Sequence, residues 1–128
     1  MNTLTLVLQK IWFELIKLGI KSEEYREIKD HYFSLFFKMD WVKKDLKRAG
    51  KPCKTKDARD YLRKMIEQGY FKLIQSYLKN FENVVFANGY KKDRKKIEFR
   101  KPKINVRSGK EEWGAKPGKM YFVITWEK

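Results

Sequence analysis

The changes in the spacing of apolar residues along this chain constrain the fold more than any other sequence feature. Leu4, Leu6 and Leu8 occupy alternate positions, a period of two that indicates a strand. After Gln9 the apolar residues recur at helical spacing, a charged segment at residues 19–26 is predicted to be a short strand, and after a helical middle Val84-Val85-Phe86 begins a second region of strands. The sequence therefore predicts an α+β fold, with strands at both ends and helices in the middle.

Individual helices and strands follow from the same patterns. Gly19 is expected to end the first helix, because glycine readily takes the left-handed conformation that closes a helix. Thr55 is predicted to be the N-cap of a later helix, and helical spacing continues through Phe81. Pro102 predicts a bend or bulge in a strand. The predicted C-terminal strands are Asn83 to Tyr90, Lys96 to Arg107 and Lys119 to Trp126.

Length and composition exclude several classes of protein. A chain of 128 residues is expected to form one domain. Its single cysteine, Cys53, and single histidine, His31, provide neither an internal disulfide nor a zinc-binding cluster. We expect no metal and no other cofactor. The sequence has no recognisable signal peptide and no apolar run long enough to span a bilayer, so we expect a cytoplasmic protein without membrane contact.

Net charge is the strongest compositional signal. The 31 Lys and Arg residues outnumber the 16 Asp and Glu residues, giving a net charge of +15, which favours polyanionic partners such as RNA or DNA. The alternative explanation is solubility alone. One basic group lies between two predicted strands and continues along the second of them. A second basic group lies within residues 43–56. The first comprises Lys91, Lys92, Arg94, Lys95, Lys96, Arg100, Lys101, Lys103 and Arg107.

Residues 19–26 place ionisable side chains in a short segment that is predicted to be a strand. Because side chains alternate between the faces of a strand, Glu24 and Arg26 are expected to be neighbours on one face. They can form an ion pair that fixes both side chains. Such a pair has two interpretations: it reads the edge of a bound base, or it only closes one end of the sheet.

The order of elements around this segment carries a resemblance to a known family. A strand and a short helix lead into Gly-x-Lys-x-x-Glu-x-Arg, present here as Gly19, Lys21, Glu24 and Arg26. Three later segments complete the pattern: Phe86 to Tyr90, Trp113-Gly114-Ala115, and Tyr121 to Ile124. Over nearly its whole length the chain resembles the ASCH domain, a member of the PUA-like β-barrel superfamily.

The resemblance implies a fold and a site. The expected fold is an α+β, PUA-like mixed β-barrel with flanking helices, forming a single ASCH domain over residues 1–128. Residues 32–81 exceed what such a barrel needs, so we interpret them as a helical insertion packed on one side. A cleft is expected beside the motif strand, with Lys21 at its mouth, where it could meet a phosphate.

The favoured function is a nucleic-acid-binding module, with RNA or a nucleoside as ligand, that uses this cleft and a basic hairpin. Tyr90 and Trp113 lie beside glycine and basic residues, so they are candidates for stacking on bases, although either could simply pack in a turn. The predicted binding residues are Lys21, Glu24, Arg26, Asn88, Tyr90, Lys91, Lys92, Arg94, Lys95, Lys96 and Trp113.

The resemblance also suggests an enzyme. One bacterial branch of the ASCH group is an N4-acetylcytidine amidohydrolase, in which a lysine and a threonine of this motif are catalytic. Lys21 matches the lysine, but Glu24 occupies the threonine position, which removes the hydroxyl nucleophile. Ser22, two residues earlier, is an alternative nucleophile that requires a different geometry. Glu24 could instead act as general base for water, with Lys21 or Arg26 stabilising the oxyanion. A third alternative is a protein-interaction adaptor that uses the aromatic helical region; the oligomeric state stays open.

Overall fold

The computed structural model describes residues 2–127. These residues form two compact units. A sheet unit comprises the described residues up to Tyr25 and from Asn80 onward, and a helical unit comprises Arg26–Lys79. The α+β class predicted from the sequence is confirmed, because residues 2–127 contain five α-helices and a five-stranded mixed sheet.

The sheet has the strand order β1-β3-β4-β5-β2. Its strands are β1 (Thr3–Leu8), β2 (Glu24–Arg26), β3 (Asn83–Asn88), β4 (Lys96–Ser108) and β5 (Met120–Glu127). Strands β1 and β3 are parallel, whereas β3, β4 and β5 pair antiparallel in succession. Because β1 and β2 lie at opposite edges, the sheet of the described residues is open. Closure into a barrel is not confirmed.

Strand β4 is long enough to pair with a different partner along each half. Its first half pairs with β3, with Ala87 opposite Lys96, and its second half pairs with β5, with Ile124 opposite Ile104. The register shifts between Arg100 and Lys103, where Lys101 has a positive φ of 49°. This irregularity confirms the bend predicted at Pro102, since proline cannot donate a hydrogen bond to a ladder.

Alternating side chains form the core of the sheet unit. Leu4, Leu6 and Leu8 are buried while Thr3 and Thr5 are exposed, as the period of two predicts. Aromatic side chains of β3, β4 and β5 form a cluster across these three strands. Its ring centroids lie 4.9 Å apart for Phe86 and Trp126, 5.4 Å for Phe99 and Trp126, and 6.1 Å for Phe86 and Phe99.

Helix α1 (Lys10–Lys17) ends in the manner that the sequence predicts. Gly19 has a φ of 77° and donates its backbone N–H to the Ile16 carbonyl at 3.0 Å. The N–H groups of Ile20 and Lys21 both donate to the Leu15 carbonyl, at 2.9 and 3.1 Å. This left-handed cap turns the chain back over the end of the helix. The cap therefore fixes the backbone position of Lys21 relative to α1.

The helical unit contains α2 (Asp30–Phe36), α3 (Met39–Arg48), α4 (Thr55–Glu67) and the single-turn helix α5 (Phe71–Ile74). Each helix contributes at least one fully buried side chain to a core. The rings of Phe33 and Phe37 stack there with centroids 5.9 Å apart. The core side chains are Phe33, Phe36, Phe37, Val42, Ala58, Leu62 and Ile74.

Two local predictions in this unit are wrong. The N-cap of α4 is Lys54 rather than Thr55, because the Asp57 carboxylate accepts the Lys54 backbone N–H at 2.9 Å. The helical pattern does not continue to Phe81, since α5 ends at Ile74 and a short 3₁₀ turn follows. After the 3₁₀ turn the backbone pairs with residues at the end of α2 instead. Leu78 forms an antiparallel bridge with Phe37, and the Lys79 N–H donates to the Phe36 carbonyl at 2.8 Å.

The helical unit overlaps the region predicted as an insertion at about 32–81, yet its assignment as an insertion in a single ASCH domain stays a prediction. None of the helices within residues 2–127 is both long and apolar enough to cross a membrane.

Candidate functional site

The sequence motif brings two of its charged side chains into contact inside the sheet unit. The Lys21 ammonium donates a hydrogen bond to Glu24 Oε1 at 2.8 Å, and the two residues are only 2% and 6% exposed. We expected Lys21 at the mouth of a cleft, facing a phosphate. That expectation is wrong for this conformation, because the ammonium is buried and directed toward the carboxylate.

Aromatic rings surround the buried ammonium. Lys21 Nζ lies 4.4 Å from the centroid of the Trp12 ring and 5.8 Å from that of Tyr25. Both distances suit attraction between a cation and an aromatic face. The ammonium has three N–H donors, and among the described residues only Glu24 accepts one of them. We call Trp12, Lys21, Glu24 and Tyr25 the Lys21 cluster.

Tyr25 joins this cluster to a polar chain on the other face of β2. Its hydroxyl donates to Glu23 Oε1 at 2.7 Å and accepts the Lys110 backbone N–H at 2.9 Å. Arg107 holds the Glu23 carboxylate through both terminal nitrogens. The hydrogen bond from Arg107 lowers the pKa of Glu23, and burial is the main cause that raises the pKa of Tyr25 to about 12.

The ring of Tyr25 lies against a backbone that leaves no space for a side chain. A Cβ atom added to Gly109 would lie 2.7 Å from two ring atoms of Tyr25 and 2.8 Å from Cβ of Ala115. On its other side Tyr25 approaches Tyr121, with ring centroids 5.7 Å apart. The segment that follows β4 therefore fits around Tyr25.

Arg26, the last residue of β2, belongs to the helical unit. Its guanidinium donates to the Tyr32 hydroxyl at 3.2 Å and lies 5.8 Å from the centroid of that ring. The Tyr32 ring in turn stacks on Phe36 with centroids 5.7 Å apart. The predicted pairing of Arg26 with Glu24 stays a prediction, as does its contact with a base.

The basic hairpin is formed by β3, β4 and the connecting residues 89–95, which we call the basic turn. Arg94 stabilises this turn by donating its backbone N–H to the Lys91 carbonyl at 3.2 Å and its side chain to the Gly89 carbonyl at 3.3 Å. Tyr90 is 86% exposed. The side chains of Lys91, Lys92, Lys95 and Lys96 are also exposed.

The remaining two predicted site residues lie at different places in the sheet unit. Asn88 ends β3 and donates its backbone N–H to the Lys95 carbonyl at 2.9 Å, so it supports the base of the basic turn. Trp113 lies in a 3₁₀ turn after β4, and the Lys110 ammonium lies 4.3 Å from the centroid of its ring. Trp113 is half-buried, and its ring contacts the ammonium of Lys110.

Helix α1 connects the basic turn with the Lys21 cluster. The Gly89 N–H donates to the Leu8 carbonyl at 3.0 Å, and α1 begins two residues after Leu8. Trp12 follows within the first turn of α1. Since four residues of chain reach at most about 14 Å, Leu8, which contacts the base of the basic turn, lies within that distance of Trp12.

Several residues of this region were not identified from the sequence. Trp12 and Tyr25 appeared only as parts of a helical and a strand pattern, and Glu23 and Arg107 are separated by most of the chain. The alternation of faces in β2 does place Tyr25 and Glu23 together, which was the available signal. No group of three His, Cys, Asp or Glu side chains that could hold a metal occurs within residues 2–127.

Comparison of the chain with family models, with curated proteins and with solved structures finds no match. The chemistry of the site therefore has to be inferred from its own residues.

The close fit at Gly109 leads to a stability prediction. In Gly109→Ala the new methyl group would force Tyr25 or Ala115 to move, and overpacking of this kind costs about 1–3 kcal/mol. The matched control is Ser108→Ala, an exposed neighbour where a loss below about 0.5 kcal/mol is expected. Urea unfolding measures both free energies. Equal stability of the two variants would contradict the fit described for Tyr25.

The Glu23 carboxylate should make stability depend on pH. The pKa of Glu23 in the folded protein lies below the usual 4.5. Its contribution to the free energy of unfolding is therefore fully present above pH 4.5 and is lost as the pH falls through the lowered pKa of the folded protein. Glu23→Gln keeps an acceptor for Tyr25 but removes the charge. At pH 7 we expect a loss of about 0.5–1 kcal/mol, limited by solvent screening of the partly exposed Arg107.

The measurement is urea unfolding of the wild type and Glu23→Gln from pH 7 to pH 3. The difference in free energy of unfolding should shrink once the pH falls below the usual pKa of a glutamate. Glu112→Gln removes the same charge from an exposed position and serves as the control. A difference between wild type and Glu23→Gln that stays constant over this range would be incompatible with the Arg107 contact.

Proposed function

We propose that this protein binds single-stranded nucleic acid, most favourably RNA, through the basic turn and the adjoining end of α1. The observation that carries the proposal is Tyr90, whose side chain is 86% exposed in a turn that contains four Lys and Arg residues and one Asp. An exposed ring beside flexible cations combines base stacking with phosphate contacts, the two interactions that single-stranded binding sites use.

The rigidity of the turn supports this assignment. Arg94 uses its backbone and its side chain inside the turn, and Asn88 closes the turn at its base. Lys91, Lys92 and Lys95 therefore extend from an ordered backbone. No ion pair involves these three lysines within the described part of the chain, so their charges are available for phosphates.

We further propose that the chain is an ASCH-type domain of the PUA-like superfamily. The motif spacing supports this proposal, because Lys21 and Glu24 contact each other at the end of α1, where the resemblance expects the motif to form a site. The strand, helix, motif strand and three later strands occur in the expected order. Closure of the sheet into a barrel and the insertion of the helical unit belong to the same proposal.

In this proposal the Lys21 cluster positions the binding surface. A buried ion pair adds little net stability, because desolvation of both charges offsets their attraction. The pair does, however, place the Lys21 ammonium near the rings of both Trp12 and Tyr25.

Binding of a short single-stranded RNA tests the basic turn. In the triple variant Lys91→Gln, Lys92→Gln, Lys95→Gln we expect affinity to fall more than about tenfold. Each lost phosphate contact lowers the slope of log K against log salt by about 0.7, so the slope should fall by about 2. Fluorescence anisotropy at several salt concentrations measures both quantities.

The matched control removes the same charge from exposed lysines outside the basic turn and the adjoining end of α1, by Lys17→Gln, Lys72→Gln and Lys116→Gln. Its affinity should change less than that of the basic-turn variant. An equal loss in both triple variants would mean that net charge alone attracts RNA. Binding that is absent or insensitive to salt in the wild type would rule out the function itself.

A second candidate function is hydrolysis of an acetylated nucleoside, and the buried contact of Lys21 with Glu24 favours it. In this reaction Glu24 accepts a proton from water, which attacks the amide carbonyl carbon. The Lys21 ammonium donates a hydrogen bond to the oxygen that becomes negative. The C–N bond then breaks and the leaving amine takes the proton, so the products are acetate and the free nucleoside.

This candidate predicts acetate release from N4-acetylcytidine by the wild-type protein. Glu24→Gln and Lys21→Met should each abolish release, because one loses the base and the other loses the oxyanion donor. Circular dichroism establishes that the variants are folded, and Glu112→Gln and Lys17→Met, at exposed positions, are the matched controls. Release that persists in both motif variants would assign the activity to another site or to a contaminant.

A further inference from the structure

The helical unit has an exposed aromatic residue that the proposed function does not use. Trp41 lies in the first turn of α3 and is 54% exposed, although the same helix buries Val42 and Leu46. Trp41 shares a helix face with Lys44, Asp45 and Arg48, since residues three, four and seven positions apart lie on one side of a helix. The indole therefore projects from a polar and mainly cationic face.

Two cavities share Trp41 and Lys44 as lining residues. One has a volume of about 600 Å³ and is also lined by Lys38, Asp40 and Lys79. The other has a volume of about 300 Å³ and is also lined by Asp45 and Arg48. Trp41 thus forms part of the wall of two adjacent spaces, each of which contains cationic side chains.

The cations around Trp41 are only partly neutralised. The Asp45 carboxylate is occupied, because Arg48 contacts it at 3.4 Å and the Tyr77 hydroxyl donates to it. Lys79 donates to the Ser34 carbonyl at 3.1 Å, a contact that leaves its charge in place. Within residues 2–127, Lys38 and Lys44 form no ion pair with a carboxylate. Asp40 is the acidic side chain of the larger cavity.

The Lys38 ammonium lies 4.1 Å from the centroid of the Trp41 ring. A cation over one face of an indole leaves the opposite face for a stacked group. Nucleic-acid bases stack on such faces regardless of sequence, and their flanking phosphates require nearby cations. A protein partner fits less well, because the exposed apolar residues Tyr70 and Leu73 lie outside both cavities.

We propose that Trp41 is a stacking platform for one base of a single-stranded nucleic acid, with the flanking phosphates held by Lys38, Lys44 and Lys79. This inference extends the proposed function, since it relies on the same class of ligand, but it concerns a separate surface on the helical unit. It predicts that the Trp41 cavities contribute base-dependent affinity, whereas their lysines contribute affinity that depends only on phosphate.

The test compares two ligands of equal length and charge: a twelve-nucleotide oligouridine and an abasic oligomer with the same phosphates. For full-length Trp41→Ala we expect a loss of roughly 5- to 100-fold for oligouridine and little change for the abasic oligomer. Trp41→Phe should retain most of the affinity, because a smaller ring still stacks. Leu73→Ala, an exposed apolar residue outside the cavities, is the matched control and should bind as the wild type does.

Lysine variants separate the two interactions. Lys44→Gln should weaken binding of both ligands equally and lower the salt slope by about 0.7. Asp40→Asn should strengthen binding of both, because it removes the acidic side chain from the larger cavity. An Asp40→Asn variant that binds either ligand more weakly would contradict the assignment of phosphates to this space.

The outcomes distinguish this inference from the function proposed for the basic turn. If the basic-turn variant loses affinity while Trp41→Ala binds both oligomers like Leu73→Ala, the function stands and the Trp41 platform is wrong. If Trp41→Ala loses base-dependent affinity while the basic-turn variant binds normally, the platform stands and the basic turn is wrong. Equal losses of Trp41→Ala for the two oligomers would also overturn the stacking role and leave Trp41 for a protein partner.

Discussion

The division of β4 between two partners is the constraint on which the sheet unit depends. Its first half completes a ladder with β3 and its second half a ladder with β5, and the register shift near Lys101 allows the two ladders to be offset. The two ends of β4 consequently serve different purposes. The segment before β4 forms the exposed basic turn, whereas the segment after it packs around Tyr25, where Gly109 leaves space for the ring.

The buried contact of Lys21 with Glu24 is the least expected property of the charged motif. Both groups lose most of their hydration, so their attraction has to offset a desolvation penalty. Apolar residues would occupy the same space at lower cost. Retention of a cation between Trp12 and Tyr25 therefore supports a role for this region beyond packing, either in holding the end of α1 or in acid and base chemistry.

Local patterns in the sequence were sufficient for most elements of the fold. The alternation of Leu4, Leu6 and Leu8 specified β1 and its buried face, and Gly19 specified the end of α1. The helical pattern up to Phe81 was misleading, because the Lys79 N–H donates to the Phe36 carbonyl and the Tyr77 carbonyl accepts the Lys38 N–H, contacts that helical spacing does not reveal. For the candidate site, the motif contains both Lys21 and Glu24, but the sequence predicted neither their contact nor the burial of the ammonium.

The sequence by itself determined the α+β class, the order of the elements and the excess of positive charge, because periodicity, glycine conformation and composition are properties of short segments. Only the tertiary structure decided that the Lys21 ammonium is enclosed, that Arg107 holds Glu23, and that Tyr90 and Trp41 are exposed. These features depend on contacts between residues that are distant along the chain. Burial of a charge, in particular, is decided by its neighbours in space, and a local pattern contains no information about them.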